Sequence, residues 1–244
     1  MKKHIPNFIT SLNVVSGFAA LLFVMQGNLT LASLMIFAAM FFDYIDGFAA
    51  RMLNAKSEVG KELDSLGDVI SFGVAPGLIV AVLISRSVGI AYFGSIVSAG
   101  MGVKVSVFMA VLIPVFAALR LARFNVYQSH SSDFTGLPVP SSAMYYVSLP
   151  LILAYDPNGV FSTYLLNNTW FYVGSILLFS YLNVSDIKMF SFKLKTEEKN
   201  TSSIYQLILL FFGLVMIFSF RVQAIPMVII SYVLLSIVKQ SLDK

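Results

Sequence analysis

Four aspartates, two glycines and an arginine between positions 43 and 68 are the residues of this chain best placed to do chemistry. The stretch reads DYIDGFAARMLNAKSEVGKELDSLGD: D-x-x-D-G-x-x-A-R, eight residues, then G-x-x-x-D-x-x-x-D. Asp43 and Asp46 are three apart, with Gly47 following, so on a helix the two carboxylates share one face. Asp64 and Asp68 are four apart, with Gly60 four before Asp64, and form a second stripe. The polar residues 54–58 turn the chain back. With that turn centred near Ser57, Asp46 lies eleven residues before it and Asp68 eleven after. Residues equidistant from the turn of an antiparallel hairpin meet, so the spacing predicts four converging carboxylates and hence a metal site.

The elements that must position these acids are apolar. Residues 29–42 are almost wholly apolar and residues 69–84 carry no charge. A charge at the centre of a membrane span costs about 2.5–3.5 kcal/mol on insertion scales and marks function by default. At about 1.5 Å per residue, Asp43 would lie roughly 15 Å from a helix end near Leu53, too deep for so short a side chain to reach water. Four aspartates and Arg51 sum to −3, and two divalent cations would bring the cluster to +1, attractive to a phosphate. All-oxygen ligands favour Mg²⁺, Mn²⁺ or Ca²⁺ over Zn²⁺. The competing reading makes the acids helix-end charges, with Asp64 capping the next helix; it accounts for any one of them better than for all four at matched spacing.

This pattern resembles the signature of the CDP-alcohol phosphatidyltransferases, D-x2-D-G-x2-A-R-x8-G-x3-D-x3-D, and matches it at every fixed position. The resemblance implies metal binding by Asp43, Asp46, Asp64 and Asp68, with Asp68 also the general base. It implies CDP-lipid contacts at Gly47, Arg51 and Ser57, with Ala50 and Gly60 completing the motif around them.

The whole chain supports a polytopic membrane protein: 244 residues, 58% hydrophobic and 11% charged, where a soluble domain carries about 25% charged residues. Cysteine is absent, which removes disulfides, thiolate nucleophiles and cysteine zinc sites. The first apolar run extends to Met25 without a convincing small-residue cleavage site and reads as a retained span, preceded by a surface-lying segment over residues 4–10. Eight spans are expected, near 8–26, 29–53, 64–86, 103–126, 140–156, 159–182, 203–220 and 223–239. The fold expected is therefore an all-α polytopic membrane helical bundle. It consists of a six-helix core over residues 1–199 and an additional C-terminal transmembrane hairpin over 200–244. With the amino terminus inside, thirteen Lys and Arg (Lys2, Lys3, Arg51, Lys56, Lys61, Arg120, Arg123, Lys188, Lys193, Lys195, Lys199, Lys239 and Lys244) fall on the cytoplasmic side and three (Arg86, Lys104 and Arg221) outside. That bias puts both termini and the acid cluster at the cytoplasmic face.

Arg120 and Arg123 lie one helical turn apart near a cytoplasmic helix end, suited to anionic groups; anchoring at the membrane surface explains them as well. Asn125 and the rigid 136–140 turn, Gly-Leu-Pro-Val-Pro, are less expected from anchoring. The segments LARFN, GLPVP, IPNFITSLNVVSGF and VSDIKMFSFK resemble the phosphatidylserine synthase branch of the family and extend the resemblance over residues 5–193. Asn13 and Ser16 read as polar links between helices. His4 and His130 read as solvated, and no Ser-His-Asp set, P-loop or nucleic-acid signature is present.

The resemblance implies transfer of a phosphatidyl group from CDP-diacylglycerol to L-serine with Mg or Mn, in two ions at most, and release of CMP. It also implies a homodimer. Arg120, Arg123 and Asn125 are the candidate acceptor contacts. The setting implied is a prokaryotic cell membrane, with membrane lipid as a partner and no nucleic acid. Glycerol 3-phosphate or an inositol phosphate would also suit basic residues, so the acceptor stays open on the residues alone. An ion-coupled transporter, which would distribute its acids along a route or repeat its halves, and a non-catalytic scaffold are the readings from other classes.

Overall fold

A computed structural model describes residues 4–55, 57–90, 93–127, 135–189 and 201–242. Among them the chain is all-helical, its one β-type pairing being an isolated antiparallel bridge between Thr135 and Lys188. In order the helices are α1 (His4–Met25), α2 (Leu29–Met52), α3 (Glu58–Asp68), α4 (Ala75–Ser87), α5 (Met101–Phe108), α6 (Leu112–Tyr127), α7 (Val139–Tyr155), α8 (Thr169–Val184), α9 (Thr201–Phe220) and α10 (Ala224–Leu242).

α1 is helical from His4, so the surface-lying segment expected over residues 4–10 is instead the first part of the span. Pro6 causes no break because it stands in the first turn, where its missing N–H has no intrahelical acceptor to lose. At the other end, Asn28 caps α2, its side chain accepting from the Leu31 N–H at 3.0 Å. Ser57 caps α3 in the same way, accepting from the Gly60 N–H at 3.0 Å. Asp64 therefore sits inside a helix whose cap is already supplied, and the reading of Asp64 as a cap falls.

α1 packs along both α2 and α3, whereas α2 and α3 barely touch one another. The hairpin expected between the two acid-bearing helices is therefore one in which side chains meet while the backbones stay apart, with α1 packed on both. After Asp68 the helix widens into a π-helical stretch, Val69–Val74, where the Ala75 N–H bonds to the Ile70 carbonyl. Such a stretch inserts an extra residue per turn and commonly adjoins functional sites. Small residues let the elements close here. A Cβ built on Gly73 would come within 3.2 Å of the Pro114 Cα, and one on Gly77 within 3.3 Å of the Ala110 carbonyl oxygen.

α7 carries much of the core: Tyr145 and Tyr146 are buried, and the Tyr145 ring stacks on Phe179 of α8 at 4.2 Å between centroids. Gly136, with φ +75°, makes the turn into α7, its N–H bonding to the Ile187 carbonyl at 2.9 Å. The 136–140 turn is thereby tied to the segment after α8.

Among the described residues, five helical stretches are long and apolar enough to cross a membrane: His4–Met25, Leu29–Met52, Glu58–Ser87, Met101–Val126 and Leu209–Ser241. Their outward faces carry large apolar side chains, Phe18, Phe41 and Phe211 among them, and Phe218 is 92% exposed. A surface of that kind is built for lipid. The molecule is an integral membrane protein. One boundary differs from expectation. The stretch expected as one span over 159–182 is divided into a π-helical turn, Phe161–Leu166, and α8, because Asn168 caps a fresh helix at Thr169. The Leu209–Ser241 stretch bends at Arg221, where φ is +51°. A Cβ on Gly213 would lie 3.7 Å from Val228, residues almost equally far from that bend, so α9 and α10 fold back as a pair.

Candidate functional site

Asp43 of α2 and Asp64 and Asp68 of α3 each offer a carboxylate oxygen, and these atoms all lie within 4.8 Å of one another. The convergence expected from spacing is present for three of the four acids. Asp46 is buried one turn further along α2 and lies with Asp64 on the wall of a neighbouring cavity.

The set fits a divalent cation. All its donors are oxygens, no cationic side chain stands between them, and Asp46 Oδ2 and Asp64 Oδ1 are buried without a hydrogen-bond partner among the described residues. Three carboxylates this close and this enclosed repel one another when ionised, and a bound cation would relieve that repulsion. The identity of the ion does not follow from the donors.

The cavity beside the cluster has a volume of about 340 Å³. It brings together Asp46, Gly47, Ala50, Ser57, Gly60 and Asp64 of the motif. A Cβ on Gly47 would meet no protein atom within 4 Å, so packing within the chain does not call for glycine there. At Gly60 the requirement is internal, because a Cβ would sit 2.9 Å from Asn7 Oδ1 and 3.0 Å from Ser57 Oγ. Arg51 is exposed at the end of α2 and lies off this wall.

α1 supplies a third wall that reading the sequence missed. Asn7 and Thr10 line the cavity, and Asn13, fully buried, donates from Nδ2 to Asp68 Oδ1 at 3.2 Å. Ser71 Oγ in turn donates to the Asn13 carbonyl at 3.1 Å. Asn13 does link helices, as expected, but its partner is the last acid of the motif. The signal was available: Asn7, Thr10 and Asn13 recur every three residues, a polar stripe on an otherwise apolar helix.

The three candidate acceptor residues separate. Arg120 is buried, with its guanidinium 5.3 Å from the Phe124 ring centroid and within electrostatic reach of Asp68. Arg123 is exposed and donates from Nη1 to the Val184 carbonyl at 3.0 Å, where it serves the end of α8. Asn125 donates from Nδ2 to Ser65 Oγ at 2.9 Å, and its carbonyl accepts from Lys61 Nζ at 3.2 Å, which fastens α6 to α3. Only Arg120 of the three faces the acids. His130, Lys2, Lys3, Lys56, Lys193, Lys195, Lys199 and Lys244 lie outside the described residues. A second cavity, of about 440 Å³, is lined by Gln26, Asn28 and Arg86 among others and by no carboxylate.

Fold and site together define an integral membrane protein with a cluster of carboxylates, able to hold a cation, beside a cavity at the end of its first helices. Residues 3–181 match the family described as CDP-alcohol phosphatidyltransferase, and the chain belongs to that family. Among curated relatives, a CDP-diacylglycerol–serine O-phosphatidyltransferase of Bacillus subtilis is 33% identical over 200 residues, 80% of this chain and 94% of the relative. One of Helicobacter pylori is 31% identical over 215 residues, 87% of this chain and 81% of its own. An archaetidylserine synthase of Methanothermobacter thermautotrophicus is 34% identical over 143 residues, 57% and 54% of the two chains.

Proposed function

We propose that this protein transfers the phosphatidyl group of CDP-diacylglycerol to the hydroxyl of L-serine, giving phosphatidylserine and CMP. The observation that carries the reading is the meeting of Asp43, Asp64 and Asp68 beside a cavity walled by the rest of the motif. The names of relatives aligned over most of their length support the acceptor.

In this reading the diphosphate enters the cavity past Gly47, whose missing side chain leaves room for it, while the acyl chains remain in lipid. Asp43, Asp46, Asp64 and Asp68 would hold one or two divalent cations, Mg or Mn. Bound there, they would supply charge neutralisation for the diphosphate and the departing CMP. Ala50, Ser57 and Gly60 shape the wall, and Arg51, at the mouth, meets the nucleotide from outside. Asp68, oriented by Asn13, takes the proton of the serine hydroxyl as that oxygen bonds to the phosphatidyl phosphorus. The bond from that phosphorus to the CMP oxygen breaks, and CMP carries away the electron pair. Arg120 receives the serine carboxylate. Phosphoryl transfer is chiefly positioning and electrostatics, which this arrangement supplies.

Eight spans, both termini in the cytoplasm and a prokaryotic cell membrane belong to the same reading. They rest on the thirteen-to-three distribution of basic residues and on relatives from bacteria and an archaeon. The homodimer rests on family resemblance alone. The test is CMP release from CDP-diacylglycerol by the purified protein with serine, glycerol 3-phosphate or inositol phosphate. Serine-dependent release that chelation abolishes and Mg²⁺ or Mn²⁺ restores is expected. Release with another acceptor only would move the protein to a different branch, and release indifferent to chelation would remove the cation from the mechanism.

A further inference from the structure

The cavity at the far end of α2 takes no part in the site described above. It has a volume of about 440 Å³ and lies between the α1–α2 turn, the end of α4 and the end of α7. α2 has 24 residues, so at about 1.5 Å per residue its two ends are about 36 Å apart. That spans the hydrocarbon core of a bilayer, about 30 Å, and a little more. The cavity therefore stands at headgroup level, in the leaflet opposite the one that the acid cavity opens toward.

Among the described residues its lining holds one charged side chain, Arg86, and no carboxylate. Arg86 Nη2 donates to the Gly27 carbonyl at 2.7 Å, and Gly27, with φ +78°, makes the turn from α1 to α2. A guanidinium carries five N–H donors in a fixed fork, so this bond orients the group and leaves most of the fork free for a ligand. An arginine that only anchored α4 at the membrane surface would extend into water. This one is drawn across to the facing turn, on the wall of the cavity. Gln26 and Thr30 line the same wall, and Asn28 uses its Oδ1 on the Leu31 N–H, which leaves its side-chain N–H groups to donate elsewhere. Leu83 and Leu153 make an apolar side.

We propose that this cavity is a binding site for the phosphodiester of an anionic phospholipid, with Arg86 as the phosphate contact. The free edge of the guanidinium takes phosphate oxygens, the geometry for which a planar fork is suited. Gln26, Asn28 and Thr30 offer hydrogen bonds to the headgroup, and the apolar side takes the first carbons of the acyl chains, which run on into the bilayer. A headgroup bearing an ammonium finds no carboxylate here to pair with. The lining therefore favours an uncharged, hydroxyl-bearing headgroup, such as glycerol, over ethanolamine. Inorganic phosphate shares the anion chemistry but not the acyl contacts. The bound lipid braces α1, α2, α4 and α7 at the end of the bundle away from the acids and takes no part in the transfer reaction.

The experiment titrates the full-length protein in detergent micelles with dioleoylphosphatidylglycerol, dioleoylphosphatidylethanolamine or inorganic phosphate, and native mass spectrometry counts the bound ligand. Wild type is expected to hold one phosphatidylglycerol about tenfold or more tightly than phosphatidylethanolamine, the worth of one hydrogen bond to a charged group. Arg86→Gln keeps an amide donor for the Gly27 turn but loses the charge, and should weaken phosphatidylglycerol binding by about ten- to a hundredfold. Ala154→Phe fills the cavity from its exposed position on α7 and should do the same with the Arg86–Gly27 bond in place. Its unfolding temperature in lipid-free micelles should match the wild type, which separates loss of lipid from loss of fold. Lys104→Gln removes a basic residue expected on the same side but off this wall, and should bind as wild type does. Equal affinity for the two lipids overturns the proposal, as does undiminished binding in Arg86→Gln or Ala154→Phe, since either describes an unselective lipid annulus. An equal fall in Lys104→Gln would assign the effect to surface charge and overturn it too. Inorganic phosphate bound as tightly as phosphatidylglycerol would make the ligand a free anion and overturn the lipid assignment. If Arg86→Gln fails to accumulate, Ala154→Phe decides by the same affinity.

Discussion

Asp68 has a fixed polar neighbour on α1. The Asn13 amide reaches its Oδ1 at 3.2 Å, and Asn13 is fully buried and held from its own carbonyl by Ser71. A carboxylate held in this way points its second oxygen in a defined direction, as a general base requires. Asp68→Asn keeps the shape and the oxygen that Asn13 addresses but cannot take a proton. Turnover should fall by about 10²–10⁴-fold, the usual worth of a positioned base, while CDP-diacylglycerol binding is largely spared. Equilibrium binding of a radiolabelled CDP-lipid, read beside CMP release, checks both halves; normal turnover would remove Asp68 from that role. The motif's acids were legible in the sequence because their spacing is a property of the helix alone. Asn13 was legible as a link between helices but its partner was not, since that partner is 55 residues away and an asparagine in an apolar span has a ready structural use.

The glycines sort by what their elements ask of them. Gly17 on α1 lies against the π-helical stretch, where a Cβ would come 2.9 Å from the Ser71 Cα and closer still to Ser71 Oγ. Gly47 on α2 faces open cavity. The two therefore make opposite predictions for the same substitution. Gly17→Ala forces α1 away from the acids and should cost about 1–3 kcal/mol, the usual penalty of overpacking, with activity falling as the fold loosens. Gly47→Ala should leave thermal unfolding in detergent unchanged and raise the CDP-diacylglycerol KM about tenfold or more, since one methyl would stand where the diphosphate passes. A destabilised Gly47→Ala protein with a normal KM would assign that glycine to packing instead. The acid-bearing helices themselves were readable from their apolar runs and polar turn. Their separation was not, because it depends on how α1 packs on both, and a tight hairpin and a wide one have the same local sequence. The same limit applies at the break before α8, where Asn168 acts as a cap only because the chain turns there.

At the scale of the molecule, what matters is which end of the bundle faces the cytoplasm. The acids and their cavity lie toward the α2–α3 turn, and Gln26, Asn28 and Arg86 line a cavity at the α1–α2 turn, the other end of α2. Under the proposed function the nucleotide comes from the cytoplasm, so the first end is expected inside, the side that the distribution of basic residues also favours. The chain has no cysteine, which allows single cysteines to report on topology without background. Met52, at the acid end of α2, and Ser241, near the end of α10, are both exposed, as are Gln26 and Val97 at the expected outer turns. Met52→Cys and Ser241→Cys should react with a membrane-impermeant maleimide only when vesicles are inside-out, and Gln26→Cys and Val97→Cys only when they are right-side-out. Labelling of Ser241→Cys from the opposite side to Met52→Cys would mean an odd number of crossings after α2, placing the carboxyl terminus outside. Labelling of Met52→Cys from outside would be more damaging, since it would open the acid cavity away from the nucleotide pool.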